Sequence, residues 1–183
     1  MKPDEKIALQ DVFALNRDRH ENTPYATDIV GNTRPIAIDR TGQAHFFQYQ
    51  KGRVPVMWSC LTAPEFGVYL PVYANVSSIP EGLSAATAVY DESSFSWQLR
   101  LISDLAVTDR TQYAELVCGP FKRLENELIE TVRKMPAPTD AEATQALTAL
   151  DQTAWALMNE VKIALITAVS ENTVLATNPL GRD

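Results

Sequence analysis

Basic residues are the minority among the charges of this 183-residue chain: 16 Lys and Arg stand against 23 Asp and Glu, a net of −7. With a pI near 4.9 and no basic cluster, such a surface repels polyphosphate, which argues against a nucleic-acid binder. Cysteine is scarce. Cys60 and Cys118 are the only two, too few for a disulfide framework in a chain of this size, and the expectation is a pair of reduced, partly buried thiols. No run of about 18 uninterrupted apolar residues occurs, so no membrane-spanning helix is expected. The opening Met1-Lys2-Pro3-Asp4-Glu5-Lys6 lacks the apolar core of a signal peptide. A cytoplasmic protein is the resulting expectation. A glycine-rich phosphate loop, a Walker-type lysine and paired-cysteine zinc spacing are all missing too, so neither a metal nor a cofactor is expected.

What is present is ordinary globular composition, 45% apolar and 21% charged. The length suits a single domain over residues 1–183, with a helix and antiparallel strands over 1–76 and mainly helix over 91–172. Leu9, Val12 and Phe13 recur at helical spacing, predicting a first helix over Ile7 to Glu21 that ends before Asn22-Thr23-Pro24. A loop containing Gly31-Asn32 then runs to Arg34. Ile36 and Ile38 predict a first strand closed by the turn residues Asp39 to Gly42. Ala44 to Gln50 predicts a second, with Phe47 and Tyr49 on one face and Phe46 and Gln48 on the other. After a turn at Lys51-Gly52-Arg53, the apolar run Val54 to Leu61 predicts the central strand. Val68 to Val76, interrupted by Pro71, supplies a fourth, and the short connections imply an antiparallel meander.

Past Gly82 the period changes from two to about 3.6. Phe95, Leu99, Ile102 and Ala106 mark one helix, and Tyr113, Val117, Phe121, Leu124, Leu128 and Val132 a longer one. Gly119-Pro120 predicts a kink or a fresh start in the latter. After the stiff Pro136-Ala137-Pro138, Thr139 and Glu142 have capping-box spacing. Leu147, Leu150, Ala154, Leu157, Val161, Ala164 and Ala168 then follow a heptad, predicting an antiparallel helix hairpin. The fold class is α+β, an antiparallel sheet with segregated helices.

Candidate chemistry is thin. His20 closes the first predicted helix, where a cation complements the dipole. His45 lies in the second predicted strand, next to the one carrying Cys60, so a nucleophile–base pair is conceivable. The surroundings of Cys60, Val56-Met57-Trp58-Ser59-Cys60-Leu61, read instead as buried core. Asp104, Asp109, Glu115, Glu125, Glu127 and Glu130 read as solvated helix-surface groups that pair with neighbours such as Arg123 and Arg133. Trp58, Trp97 and Trp155 read as core or interface anchors.

Three stretches carry a family likeness: Thr33-Arg34-Pro35-Ile36-Ala37, His45-Phe46-Phe47-Gln48, and Met57-Trp58-Ser59-Cys60-Leu61 leading to Leu70-Pro71-Val72-Tyr73. With Ser93 to Arg100, and with Asp11 to Leu15 before them, they resemble in order and spacing the C-terminal half of C69 dipeptidases over about residues 7–134. The resemblance implies part of an N-terminal nucleophile hydrolase, in which two antiparallel sheets are sandwiched between helical layers. It also implies a metal-free reaction: an amino-terminal cysteine thiol attacks the peptide carbonyl of a dipeptide, with its own α-amino group as base. This chain starts Met1-Lys2, and neither Cys60 nor Cys118 stands in the nucleophile's place. The expectation is a segment inactive alone, completed by an amino-terminal partner chain, or a non-catalytic remnant that forms a homo-oligomer. Arg34, His45 and Asn32 are the candidates for lining the substrate region.

Overall fold

The fold is described here from a computed structural model, which covers residues 7–19, 35–85 and 87–177. Within it a short helix, α1 (Leu9–Asn16), precedes three strands, β1 (Ala44–Gln48), β2 (Val56–Cys60) and β3 (Leu70–Tyr73). Four helices follow: α2 (Glu81–Ser84), α3 (Phe95–Ala106), α4 (Arg110–Lys134) and α5 (Asp140–Thr177). This is an α+β arrangement with the strands in the first half and the long helices in the second.

The strands form an antiparallel meander in the order β1-β2-β3, with the apolar β2 at the centre. Gly52, at a φ of 79° that an L side chain rarely adopts, turns the chain from β1 to β2. Pro71 is tolerated in β3 because that strand is an edge of the described sheet, where a missing N–H need not break a ladder. Inward-facing Phe46 and Trp58 meet Phe13 of α1 at ring-centroid separations of 5.5 and 5.3 Å, and Phe13 stacks on Tyr69 at 4.6 Å. That aromatic group continues into the helical core through Leu99, Val117, Phe121, Met158 and Leu165, all buried. Tyr73 joins the far end by donating its hydroxyl to Met135 O at 2.8 Å.

Four expectations change. α1 stops at Asn16, short of Glu21, because the backbone beyond it is recruited elsewhere: Ala37 N–H donates to Asp18 O at 3.0 Å. The same bond replaces the strand expected at Ile36–Ile38. Ala37 is fully buried against the exit of α1 and Ile36 is exposed, so the alternation is real but its partner is not a strand. The sheet therefore has three strands among the described residues. At Gly119-Pro120 there is no fresh start: α4 runs on through the proline, with Val117, Phe121 and Leu124 buried around it.

α5 begins with the capping box: Thr139 N–H donates to Glu142 Oε2 at 2.8 Å, and Glu142 N–H to Thr139 Oγ1 at 3.3 Å. Its buried residues are Ala143, Leu147, Leu150, Ala154, Met158, Val161 and Leu165. Their steps of 4, 3, 4, 4, 3 and 4 make an eleven-residue repeat rather than a heptad. An unstrained helix keeps such a repeat on one face, whereas a strict heptad drifts by about 20° per repeat. Met158 and Leu165 therefore face inward in place of Leu157 and Ala164.

Candidate functional site

The connection from β2 to β3 carries a dense polar construction. Two arginines from the end of α1 reach it. Arg17 donates from Nε to Pro64 O and from Nη2 to Gly67 O, both at 2.9 Å. It also forks onto Glu125 of α4, at 3.0 Å to Oε2 and 2.5 Å to Oε1. Glu125 Oε1 further accepts from Tyr69 N–H at 2.8 Å, and the guanidinium lies over the Tyr69 ring. Burial alone would lower the Arg17 pKa, but the hydrogen bonds and charge of Glu125 outweigh it and raise the value. Glu125, with 3% of its side chain exposed, is thus no solvated surface group. The sequence carried a signal that was missed: position 125 falls inside the stripe Phe121, Leu124, Leu128, so a carboxylate there needs a buried partner.

A second group lies on the solvent side. Asp39 takes Arg19 at 2.9 Å and Arg110 at 2.6 Å, and Glu65 takes the same two at 3.2 and 3.0 Å. Despite some burial, the two arginines hold the Asp39 carboxyl below its ordinary value. At Glu65 burial wins over the same arginines and pushes the carboxyl up. Arg100 of α3 adds a bond from Nη1 to Asp39 O at 2.8 Å and pairs with Asp104. Together these bonds lock the 35–43 segment, the 61–69 connection and the start of α4. Donors and acceptors are matched one to another, which is the signature of a positioning network.

Both thiols lie against this connection. Cys60 is fully buried and its Sγ approaches Thr62 O at 3.5 Å; burial pushes its pKa up to about 12. A Cβ at residue 67 would overlap Cys60 Sγ, so only glycine passes there. Cys118 Sγ reaches Glu65 O at 3.3 Å, and burial raises that thiol as well. Both remain protonated near neutrality and are poor nucleophiles.

The Cys60–His45 pair does not form. His45 is opposite Ser59 in the β1–β2 register, whereas Cys60 is opposite Ala44, so the two side chains project from opposite faces of the sheet. His45 is exposed, edge-on to Phe47 at 5.9 Å. On that outer face β3 and β2 keep their cover, Ser59 opposite His45 being 5% exposed, and β1 does not. Leu70 is 3% exposed, Val72 and Met57 are half-buried, and Phe47 and Tyr49 are 69% and 79% exposed. Arg34 and Asn32, the other two predicted site residues, lie outside the described residues, as does His20.

Two clefts adjoin the polar groups. One of about 400 Å³ between α1 and α4 is lined by Gln10, Phe13, Arg17 and Lys122. The other, about 590 Å³, runs between the 39–43 turn and α3 and is lined by Gly42, Thr62, Trp97 and Arg100. Among the described residues no group of three or more His, Cys, Asp or Glu is placed to hold a metal ion, and no helix is long and apolar enough to cross a membrane.

Comparison with known proteins adds what the geometry does not. The sequence model of Peptidase family C69 matches residues 1–119. A probable dipeptidase B of Streptococcus pyogenes serotype M1 is 26% identical over 147 residues, 69% of this chain and 29% of the relative. Dipeptidase A of Lactobacillus helveticus is 27% identical over 124 residues, 60% of this chain and 25% of its own length. A probable dipeptidase A of Streptococcus pyogenes serotype M3 (strain SSI-1) is 25% identical over 157 residues, 80% of this chain and 32% of the relative. The chain thus spans less than a third of the length of these relatives.

Proposed function

The chain belongs to peptidase family C69, and we propose that it serves the hydrolysis of dipeptides as the C-terminal portion of an N-terminal nucleophile fold whose thiol comes from another segment. One observation carries this reading beyond family membership. Cys60 is buried and Cys118 half-buried, and burial raises both thiols, so attack on a peptide carbonyl needs a sulfur supplied elsewhere. In that scheme an amino-terminal cysteine attacks the carbonyl, and its α-amino group accepts the thiol proton and returns it to the leaving amine. The part played by this chain is to hold the β2–β3 connection rigid through Arg17 and Glu125. His45, with Arg34 and Asn32, is proposed to line the substrate region from the outer face of the sheet.

The test is amine release from a panel of unblocked dipeptides. It compares the purified chain, the chain with Cys60→Ser, and the chain co-expressed with the amino-terminal portion of a family relative. The expected result is no turnover by either form alone and turnover on complementation, reduced by His45→Ala. Turnover by the chain alone that Cys60→Ser abolishes would overturn the reading.

A second reading rests on the bare aromatics Phe47 and Tyr49: a non-catalytic homo-oligomer that covers this face by self-association. Sedimentation at micromolar concentration separates the two, because a monomer that Phe47→Ser leaves unchanged removes the oligomer.

A further inference from the structure

The side of α5 turned away from the core is a surface with too little charge for a solvated helix. Twelve residues between Gln145 and Ser170 are exposed, and Glu160 is the only charged one among them. Depletion of charge is what sets the centre of a protein interface apart from the rest of a surface. At about 3.6 residues per turn, Gln145, Gln152, Ala156 and Ile163 lie opposite the buried Leu147, Ala154, Val161 and Leu165. Ile163 is 63% exposed and Ile166 43%. The face continues onto α4 across a groove of about 550 Å³, whose lining includes Pro120, Arg123, Glu127, Ala156 and Glu160. Arg123, Glu127 and Glu160 are exposed, and none of these side chains has an ion-pair or hydrogen-bond partner among the described residues. Arg133, by contrast, takes Glu130 one turn away at 3.1 Å. The groove thus presents one guanidinium and two carboxylates whose counter-ions must come from outside the chain.

We infer that this face is the interface between two copies of the chain, with α5 antiparallel to α5 about a two-fold axis close to Ala156. A second copy is the occupant because the surface is complementary to itself. It carries both signs of charge, and a two-fold axis offers the Arg123 of each copy the Glu160 of the other. The size agrees. From Gln145 to Ser170 the face rises about 38 Å at about 1.5 Å per residue, and a helix is about 10 Å across. With the α4 rim, two copies bury on the order of 1,000 Å², the lower limit for specific association. The dimer is independent of the dipeptidase reading, and it uses a different surface from the one that carries Phe47.

Sedimentation velocity of the whole chain, from low to high micromolar concentration, tests it. A monomer–dimer equilibrium is expected, weakened by added salt and unchanged by Phe47→Ser. Ile163→Lys places a charge in the centre of the face and is expected to leave only monomer over this range. Arg123→Glu and Glu160→Arg each set like charges opposite one another and are expected to weaken the dimer by about tenfold or more. Mixed in equal amounts, these two variants restore both ion pairs, since at the two positions one copy supplies only carboxylates and the other only guanidinium groups. The mixture is therefore expected to dimerise as the parent does. All of the substituted side chains are exposed, so far-ultraviolet circular dichroism should match the parent and the readout is association rather than folding. A chain that is monomeric at every concentration, a dimer that Ile163→Lys leaves intact, or a mixture no more associated than its components would overturn the proposal. So would loss of the dimer on Phe47→Ser, which would assign self-association to the outer face of β1 instead.

Discussion

The two faces of β1 differ sharply. Inward, Phe46 lies in an aromatic group with Phe13 and Tyr69, backed by a buried guanidinium–carboxylate pair. Outward, His45 and Phe47 are exposed, although the register places them in line with Ser59 and Met57 of the central strand. β1 is thus covered on one side only, whereas Ser59 of β2 and Leu70 of β3, on the same outer side, are buried. The difference teaches where this length of chain leaves its sheet bare: on the outer side of β1. That agrees with relatives of which this chain spans less than a third.

The comparison breaks most visibly if the inner side proves dispensable. Glu125→Ala leaves Arg17 buried without its counter-ion and Tyr69 N–H without its acceptor, and is expected to destabilise the fold by about 3–5 kcal/mol. Urea unfolding measures it. Replacing both partners with apolar residues, Arg17→Met with Glu125→Leu, should recover much of the loss, because the cost lies in the stranded charge more than in the missing bond. A mild Glu125→Ala would mean that water reaches the pair.

The two faces can also be weighed directly. Phe13→Ala removes the ring shared by Phe46, Trp58 and Tyr69 and is expected to cost about 3–5 kcal/mol. Phe47→Ser on the outer face should change stability by no more than about 0.5 kcal/mol in the isolated chain. If the two substitutions cost the same by urea unfolding, the outer face is already covered, and the one-sided description fails.

Much of this was legible in the residues. The β1 alternation put Phe46 and Phe47 on opposite faces, because a period of two admits no other division, though not which of them meets the core. The spacing of Thr139 and Glu142 located the start of α5, since that box is a local event that needs no tertiary knowledge. The failures were all non-local. Ile36 and Ile38 alternate as a strand does, yet the backbone bond of Ala37 goes to the exit of α1. Leu157 and Met158 are equally apolar, and only the straightness of a 38-residue helix decides which faces the core. Of the candidate site, Cys60 was readable as buried from its neighbours. The network at Asp39, Glu65, Arg19 and Arg110 was not, because its members come from four separate segments of the chain.

A smaller effect is expected at the cap itself. Thr139→Ala removes the hydroxyl that accepts from Glu142 N–H and should lower stability by about 1 kcal/mol. It should leave both faces of the sheet untouched, so aromatic near-ultraviolet circular dichroism is expected to stay constant while the thermal midpoint falls. A changed aromatic spectrum would tie the end of α5 to the Phe13 group and blur the division between regions.

The smallest effect separates two carboxylates that share the same two arginines. Asp39 has its folded-state pKa below the ordinary 3.8, so its contribution is complete above that value and is lost as pH falls through the folded pKa. Glu65 has its folded-state pKa above the ordinary 4.5, so the folded protein binds the proton more tightly than the unfolded chain. Its charged form costs stability, and that cost disappears as pH falls from above the folded pKa to 4.5. Acidification from neutrality should therefore first relieve Glu65 and only below about pH 4 release Asp39. Since Asp39 is about half exposed, solvent screening keeps its share to a few tenths of a kcal/mol, roughly. Urea midpoints measured from pH 7 to pH 3 for Asp39→Asn and Glu65→Gln should differ from the parent in opposite senses. Asp39→Asn flattens the acid limb below pH 4, and Glu65→Gln flattens the shallow rise above it. Identical profiles for the two variants would mean that the four charges titrate as one unit, with no distinction between the buried and the exposed carboxylate.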